Sequence, residues 1–243
     1  MSTPAVVLVR PQKASNLGSV ARVARNFGLR GLSVVDPGVI PDEESSRLAA
    51  GADDVLGAIR RFESLEEAVA EYPVVVTTSS LRGRARVRTL ELWELDGFLA
   101  SVGDGAATAF VFGPERSGLT EDELARASAC LRLPTAPDFP TMNLSHAVAV
   151  VLAATRTLPV DPGPKASRAE PPGEPWAPAG EIEAAIAHWD QALEAIDFYD
   201  TGHRERSLRD WRRLVAGRPL TQREVAILRG VANRILVSLR RGR

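Results

Sequence analysis

Short apolar runs alternate with segments whose apolar positions recur at helical spacing through the first two-thirds of the chain. Residues 5–9 (AVVLV), 32–35, 73–77, 108–112 and 131–133 are too short for helices and too continuously apolar for strands wet on one side. They fit strands buried on both faces of a parallel sheet. Between them, residues 16–27 place Leu17, Val20, Ala21, Ala24 and Phe27 on one helical face, with Gly28 positioned as a C-cap. Residues 42–50, 64–71, 90–100 and 143–158 read as further helices, and residues 51–56 (GADDVL) as a return to the sheet. Such alternation over residues 5–158 predicts an α/β layer architecture.

From residue 159 to 180 the composition turns to Pro, Gly and Ala, as in an extended linker. Beyond it, Ile182, Ile186, Trp189, Leu193 and Ile196 have the spacing of one helix face, Leu208, Trp211 and Leu214 that of a shorter one, and Val225, Leu228, Ala232, Ile235 and Leu239 that of a third. Thr221 with Glu224 opens the last helix with a capping box. The expected organisation is a domain over 1–158, a linker over 159–180 and a small helical domain over 181–243.

Residues 108–152 concentrate the chemistry. A strand ends in Gly113-Pro114, Gly118 keeps the loop open, and Thr120 with Glu123 caps the next helix. A second strand stops at Pro134, and a polar loop containing Pro137 and Pro140 leads into an apolar helix. Loops at the carboxyl ends of parallel strands are where an open α/β sheet holds a ligand. The spacing suggests a cofactor pocket built largely of backbone.

The segments VFGPERSGLT and LPTAPDFPTMNLSHAV resemble the second and third motifs of the SpoU branch of the SPOUT RNA methyltransferases. Asn16, Gly18 and Arg22 supply the N-x-G-x-x-x-R pattern of the first. The segment HRERSLRDWRRLV, with PLTQREVAILRGV after it, resembles the carboxyl-terminal extension of the TrmJ-type branch. The resemblance implies a SPOUT-type parallel sheet with a C-terminal trefoil knot, a fold feature otherwise nearly absent from proteins. It also implies a homodimer with the site near the subunit interface, S-adenosylmethionine as donor, and 2′-O-methylation of a tRNA ribose at nucleotide 32 of the anticodon loop. The rivals are a SpoU enzyme acting on rRNA or another tRNA position, and a noncatalytic RNA-binding or dimerisation module.

Carried over residue by residue, the resemblance makes Arg22, Asn16, Glu115, Thr141 and Asn143 the catalytic set, with Thr141 standing where relatives commonly have Ser. Thr78, Ser79, Ser80, Gly113, Leu133, Pro140, Thr141 and Met142 become the cofactor site, Met142 replacing the more usual Leu. A ribose hydroxyl is a poor nucleophile, so its proton must be removed or the developing alkoxide stabilised. Guanidinium stays charged at neutral pH, which assigns Arg22 electrostatic activation of the hydroxyl beside a bound phosphate. Read from spacing alone, the same residues are a solvated arginine, helix caps and a surface carboxylate.

Net charge sharpens this picture. The total is −1, yet residues 203–243 hold twelve arginines against Glu205, Asp210 and Glu224, a charge of +9 beside −10 for the rest. Such a basic segment is a footprint for a polyanion. Arg206, Arg209, Arg212 and Arg213 are the expected phosphate contacts there, joined by Arg82 and Arg84 after the hydroxyl-rich 77–80 loop. Trp211 reads as core. One cysteine, Cys130, and three dispersed histidines give neither a disulfide framework nor a metal-ligand cluster, so no metal is expected. No run approaches the ~18 apolar residues of a membrane helix, and no export signal is read, which points to the cytoplasm. Ser145 and His146, adjacent on a helix, diverge by about 100° and do not form a hydrolase pair.

Overall fold

A computed structural model describes residues 4–79, 87–103, 106–157, 174–199, 204–215 and 218–241. Among them, seven strands form one sheet: β1 (Ala5–Val9), β2 (Ser33–Val35), β3 (Arg60–Phe62), β4 (Val74–Thr78), β5 (Thr89–Glu91), β6 (Thr108–Phe112) and β7 (Ala129–Arg132). The order is β3-β2-β1-β6-β4-β7-β5, and every neighbouring pair is parallel. The two-residue side-chain period divides the strands cleanly between two cores. Val6, Leu8, Val76, Phe110, Phe112 and Leu131 face one cluster, and Val7, Val9, Val75, Val111 and Cys130 face the other.

The first cluster is covered by α1 (Ala14–Asn26), α2 (Glu43–Ala49), α3 (Asp53–Gly57), α5 (Leu95–Ser101) and α7 (Leu144–Thr157). On the opposite face, α4 (Leu65–Val69) and the single turn α6 (Glu121–Leu124) close the second. Burial there pushes the Cys130 thiol up despite a bond from Thr77, as expected of a core cysteine.

Gly18 belongs to the first sequence motif, and its role is packing. A Cβ at this position would lie 2.0 Å from the Ser45 carbonyl oxygen, because α1 and α2 meet backbone to backbone there. The obstacle is main chain of a helix whose Ser45 is fully buried and tied into a capping box with Asp42. Gly18→Ala should therefore destabilise by about 3 kcal/mol, at the upper end of overpacking costs. Thermal denaturation should show a loss of roughly 6–12 °C for a chain of this size; an unchanged midpoint would mean that α2 moves away freely.

The sequence reading departs from the structure at three places. Residues 51–56 form most of α3 instead of returning to the sheet: Asp53 and Asp54 favour a helix amino terminus, and only Val55 and Leu56 are buried from the turn. The sheet return is β3, an edge strand whose Arg60 and Arg61 are exposed and so lack the apolar run expected of a buried strand. The proposed helix 90–100 begins instead as β5, because Leu90 is buried in register with Leu131. Helix starts only after a Glu91–Glu94 capping box.

The carboxyl-terminal helices are α8 (Ala179–Ala195), α9 (Arg204–Val215) and α10 (Gln222–Arg241). They are not suspended on a free linker. Ala179 and Gly180 donate backbone hydrogen bonds to Tyr72 and Ala70, each 3.1 Å, and Trp176 Nε1 donates to the Val102 carbonyl at 2.6 Å. Glu183 of α8 faces two arginines at 3.1 Å, Arg126 of the sheet domain and Arg212 of α9. Trp189 stacks on Trp211 with ring centroids 5.2 Å apart, which makes Trp211 a packing residue as read from sequence. Of the expected 159–180 linker, residues 159–173 lie outside the described residues, and α8 begins one residue before its end.

Candidate active site

The parallel sheet sends the loops after β1, β4, β6 and β7 to the same edge, and polar side chains from three of them meet. Asn16, buried on the first turn of α1, donates through Nδ2 to Glu115 Oε1 in the loop after β6. Its Oδ1 accepts from Asn143 Nδ2 at 3.2 Å, ahead of α7. Asn143 Oδ1 in turn accepts from the Ser145 backbone N–H at 2.9 Å and the Ser145 hydroxyl at 2.8 Å, capping α7 as its sequence position suggests. The second carboxylate oxygen of Glu115 accepts from the Gln12 backbone N–H at 3.3 Å. Three sequence motifs, the first more than 90 residues ahead of the other two in the chain, thus become one hydrogen-bonded relay.

Nearby bonds hold these loops in position. Arg10, with φ of 47° at the end of β1, donates its backbone N–H to Val35 at 2.8 Å. Its guanidinium bonds both carboxylate oxygens of Glu123, with Nη2–Oε2 at 2.9 Å. Burial alone would raise the Glu123 carboxyl. The Arg10 fork and the Thr120 cap outweigh it and hold the group below the usual carboxylate range. In the same loop, a Cβ on Gly113 would fall 2.5 Å from the Leu119 nitrogen, so the chain can fold back on itself only over glycine.

Beside the relay lies a cavity of about 170 Å³. Thr78 and Ser79 reach it from β4, Gly113 from β6, and Leu133 from β7; Pro140, Thr141 and Met142 close it from the loop before α7. All the cofactor residues named from the sequence line it except Ser80, which lies outside the described residues, as do Arg82 and Arg84. Leu119, Thr135, Leu144 and Ala147 also line it and escaped the sequence reading, because nothing in their type separates them from core or loop residues. Glycine for close approach, backbone groups and hydroxyls at one end, and Leu, Met and Pro walls fit the adenosine moiety of a sulfonium donor.

An open depression of about 730 Å³ shares Glu115, Arg116, Thr135, Thr141 and Met142 with this cavity and includes Asn16 and Asn143. Lys13, Phe139 and His146 complete its walls and were not singled out as site residues from the sequence. Arg22 lines neither space. It lies six residues beyond Asn16, about 9 Å along the helix axis, and is exposed to solvent.

The expected phosphate contacts of the tail divide. Arg206 is exposed, while Arg209, Arg212 and Arg213 face Asp122 (3.7 Å), Glu183 (3.1 Å) and Asp210 (2.8 Å). Arg229, Arg234 and Arg240 of α10 are exposed, so the basic surface extends to a helix from which no contact was named in advance. Among the described residues there is no group of three metal-ligating side chains, and no helix is long and apolar enough to cross a membrane.

Residues 3–153 match the model of the SpoU rRNA Methylase family, and residues 180–243 match the C-terminal domain of the tRNA methyltransferase TrmJ. The chain is 36% identical over 232 residues to the tRNA (cytidine/uridine-2′-O-)-methyltransferase TrmJ of Citrobacter koseri, covering 93% of each chain. The crystal structure of TrmJ from Z. mobilis ZM4 is similar with a TM-score of 0.82 at 30% identity, covering 96% of this chain and 99% of that one. A structure described as giving insights into the 2-OH methylation of C/U34 on tRNA has a TM-score of 0.51 at 25% identity, and covers 63% of this chain and 96% of that one.

Proposed function

The chain belongs to the SpoU rRNA Methylase family, and from that membership we propose that it is a tRNA ribose 2′-O-methyltransferase using S-adenosylmethionine. The observation that carries this reading is the Glu115–Asn16–Asn143 relay at the rim of a cavity lined by backbone, hydroxyls and apolar walls. A noncatalytic RNA-binding module has no need to link the buried Asn16 to the half-buried Glu115 and to Asn143 beside such a cavity.

When bound, the donor supplies an electrophilic methyl group. Thr78, Ser79, Gly113, Leu133, Pro140 and Met142 would hold it, and the apolar members of that lining would exclude water. On this proposal Asn16, Glu115, Thr141 and Asn143 orient the target ribose. As the 2′-hydroxyl gives its proton to solvent at the open rim, the Arg22 guanidinium, seated on the neighbouring phosphate, stabilises the alkoxide. The solvent exposure of Arg22 suits a group that meets RNA at the mouth of the site, and suits a homodimer in which the site lies near the subunit interface.

Residues 1–158 form the catalytic domain in this account, and residues 181–243 a basic extension that orients RNA through Arg206 and the α10 arginines, with 159–180 between them. We also propose a trefoil knot around the β6, β7 and α7 segment. Its support is the strand order, since β6 and β7 both follow β4 in the chain yet flank it in the sheet. A cytoplasmic location follows from the tRNA substrate.

Within the anticodon loop the target is nucleotide 32. The relative whose structure concerns methylation of C/U34 matches only 63% of this chain, and on this proposal the helical extension over 180–243 is what directs the site to a different nucleotide of the loop. Mapping the methylated nucleotide by mass analysis of ribonuclease fragments tests this. Methyl groups at 32 are expected; methylation confined to 34, to another tRNA position or to rRNA would overturn the assignment.

A further inference from the structure

We propose that Phe139 is a stacking platform for the base of the nucleotide being methylated, an inference that rests on the ribose-methyltransferase reading of the site. Phe139 is 73% exposed although it sits in the wall of the depression beside the relay. A solvated phenylalanine on a pliable loop would fold inward. This loop is stiff: Pro134, Pro137 and Pro140 fix its dihedrals, Phe139 N–H donates to Ala136 at 3.1 Å, and the Thr135 hydroxyl donates to the Pro140 carbonyl at 3.2 Å. The ring is therefore held outward by construction. Two and four residues later, the same segment delivers Thr141 and Asn143 to the catalytic rim, which places the ring at a short, set remove from the reacting sugar.

The rest of the depression identifies the ligand class. The side chains of Lys13 and Arg116 are exposed on it, with no hydrogen-bond or ion-pair partner among the described residues. Gln12, Asn16 and Glu115 add polar groups between them. One aromatic face, two exposed cations and a polar floor match base, phosphate and sugar in turn. A protein partner would instead call for a continuous apolar patch around the ring. Stacking uses the face of the base and none of its hydrogen-bonding edges, so this platform accepts cytidine and uridine alike.

The test is a double-mutant cycle between protein and RNA. Full-length protein and the Phe139→Ala, Phe139→Trp and Phe139→Leu variants are assayed on anticodon-arm RNA carrying the normal target nucleotide or an abasic ribose with its 2′-hydroxyl intact. Phe139→Ala should lower kcat/KM about tenfold on normal RNA, the size of one lost base stack, mainly through KM. Phe139→Trp should restore it and Phe139→Leu should not. On abasic RNA the wild type should fall by a similar factor, and Phe139→Ala should cost nothing more. Additive losses would overturn the proposal. So would a shift of Phe139→Ala from dimer to monomer in analytical ultracentrifugation, which would make the ring a contact between copies of this chain. Absence of ribose methylation by the wild type on every RNA would instead defeat the underlying functional reading.

Discussion

Replacing Arg22 by alanine should reduce turnover by about a thousandfold, the scale on which removing a charge-stabilising donor from a reaction centre acts, while leaving donor affinity and folding intact. The side chain is exposed, it lines neither cavity, and alanine is the better helix former, so a structural cause for lost activity is excluded in advance. Isothermal titration with S-adenosylmethionine and a melting curve should match the wild type, with kcat alone collapsing. Arg22→Lys should recover little, since a point charge does not reproduce the planar fork on phosphate. Retained turnover would remove Arg22 from the chemistry and shift its charge role to Lys13 or Arg116, the cations that do line the depression.

Asn16→Ala should cost both stability and rate. The side chain is 5% exposed and is the middle member of the relay, so its loss removes the bonds to the Glu115 carboxylate and the Asn143 amide together. Losing a bond to a carboxylate and one to an amide costs about 1–3 kcal/mol. Misplacing the groups that orient the ribose costs roughly a hundredfold in kcat/KM. Asn143→Ala should reproduce the kinetic loss, and the double variant should lose far less than the product of the two, because each breaks the same connection. Full activity in Asn16→Ala would mean that the relay only braces the loops.

The elements with strong periodicity were legible from sequence. Residues 5–9 and 108–112 are strands with the expected bounds, and Thr120 and Thr221 cap their helices as read. What failed was local and polar: Arg60–Phe62 is a strand by its place beside β2, and Thr89–Glu91 by its place beside β7, neither of which a short window of sequence contains. The same limit applied to the site. Residues of the three motifs could be named only through the resemblance of those motifs, in order, to the SpoU family; their types and spacing alone read as caps and surface charges. Lys13, Arg116 and Phe139 could not, since an exposed cation or aromatic acquires meaning only when folding brings it to a shared wall. Nor does composition reveal that Arg209, Arg212 and Arg213 are paired with carboxylates, which lowers the free positive charge of α9 below what the arginine count suggests.

The most direct test is nucleoside analysis of tRNA incubated with the protein and S-adenosylmethionine carrying a labelled methyl group. Complete digestion followed by mass spectrometry should place the label on ribose, as 2′-O-methylcytidine or 2′-O-methyluridine. Label on a base with none on ribose, or no transfer to RNA at all, would contradict the account.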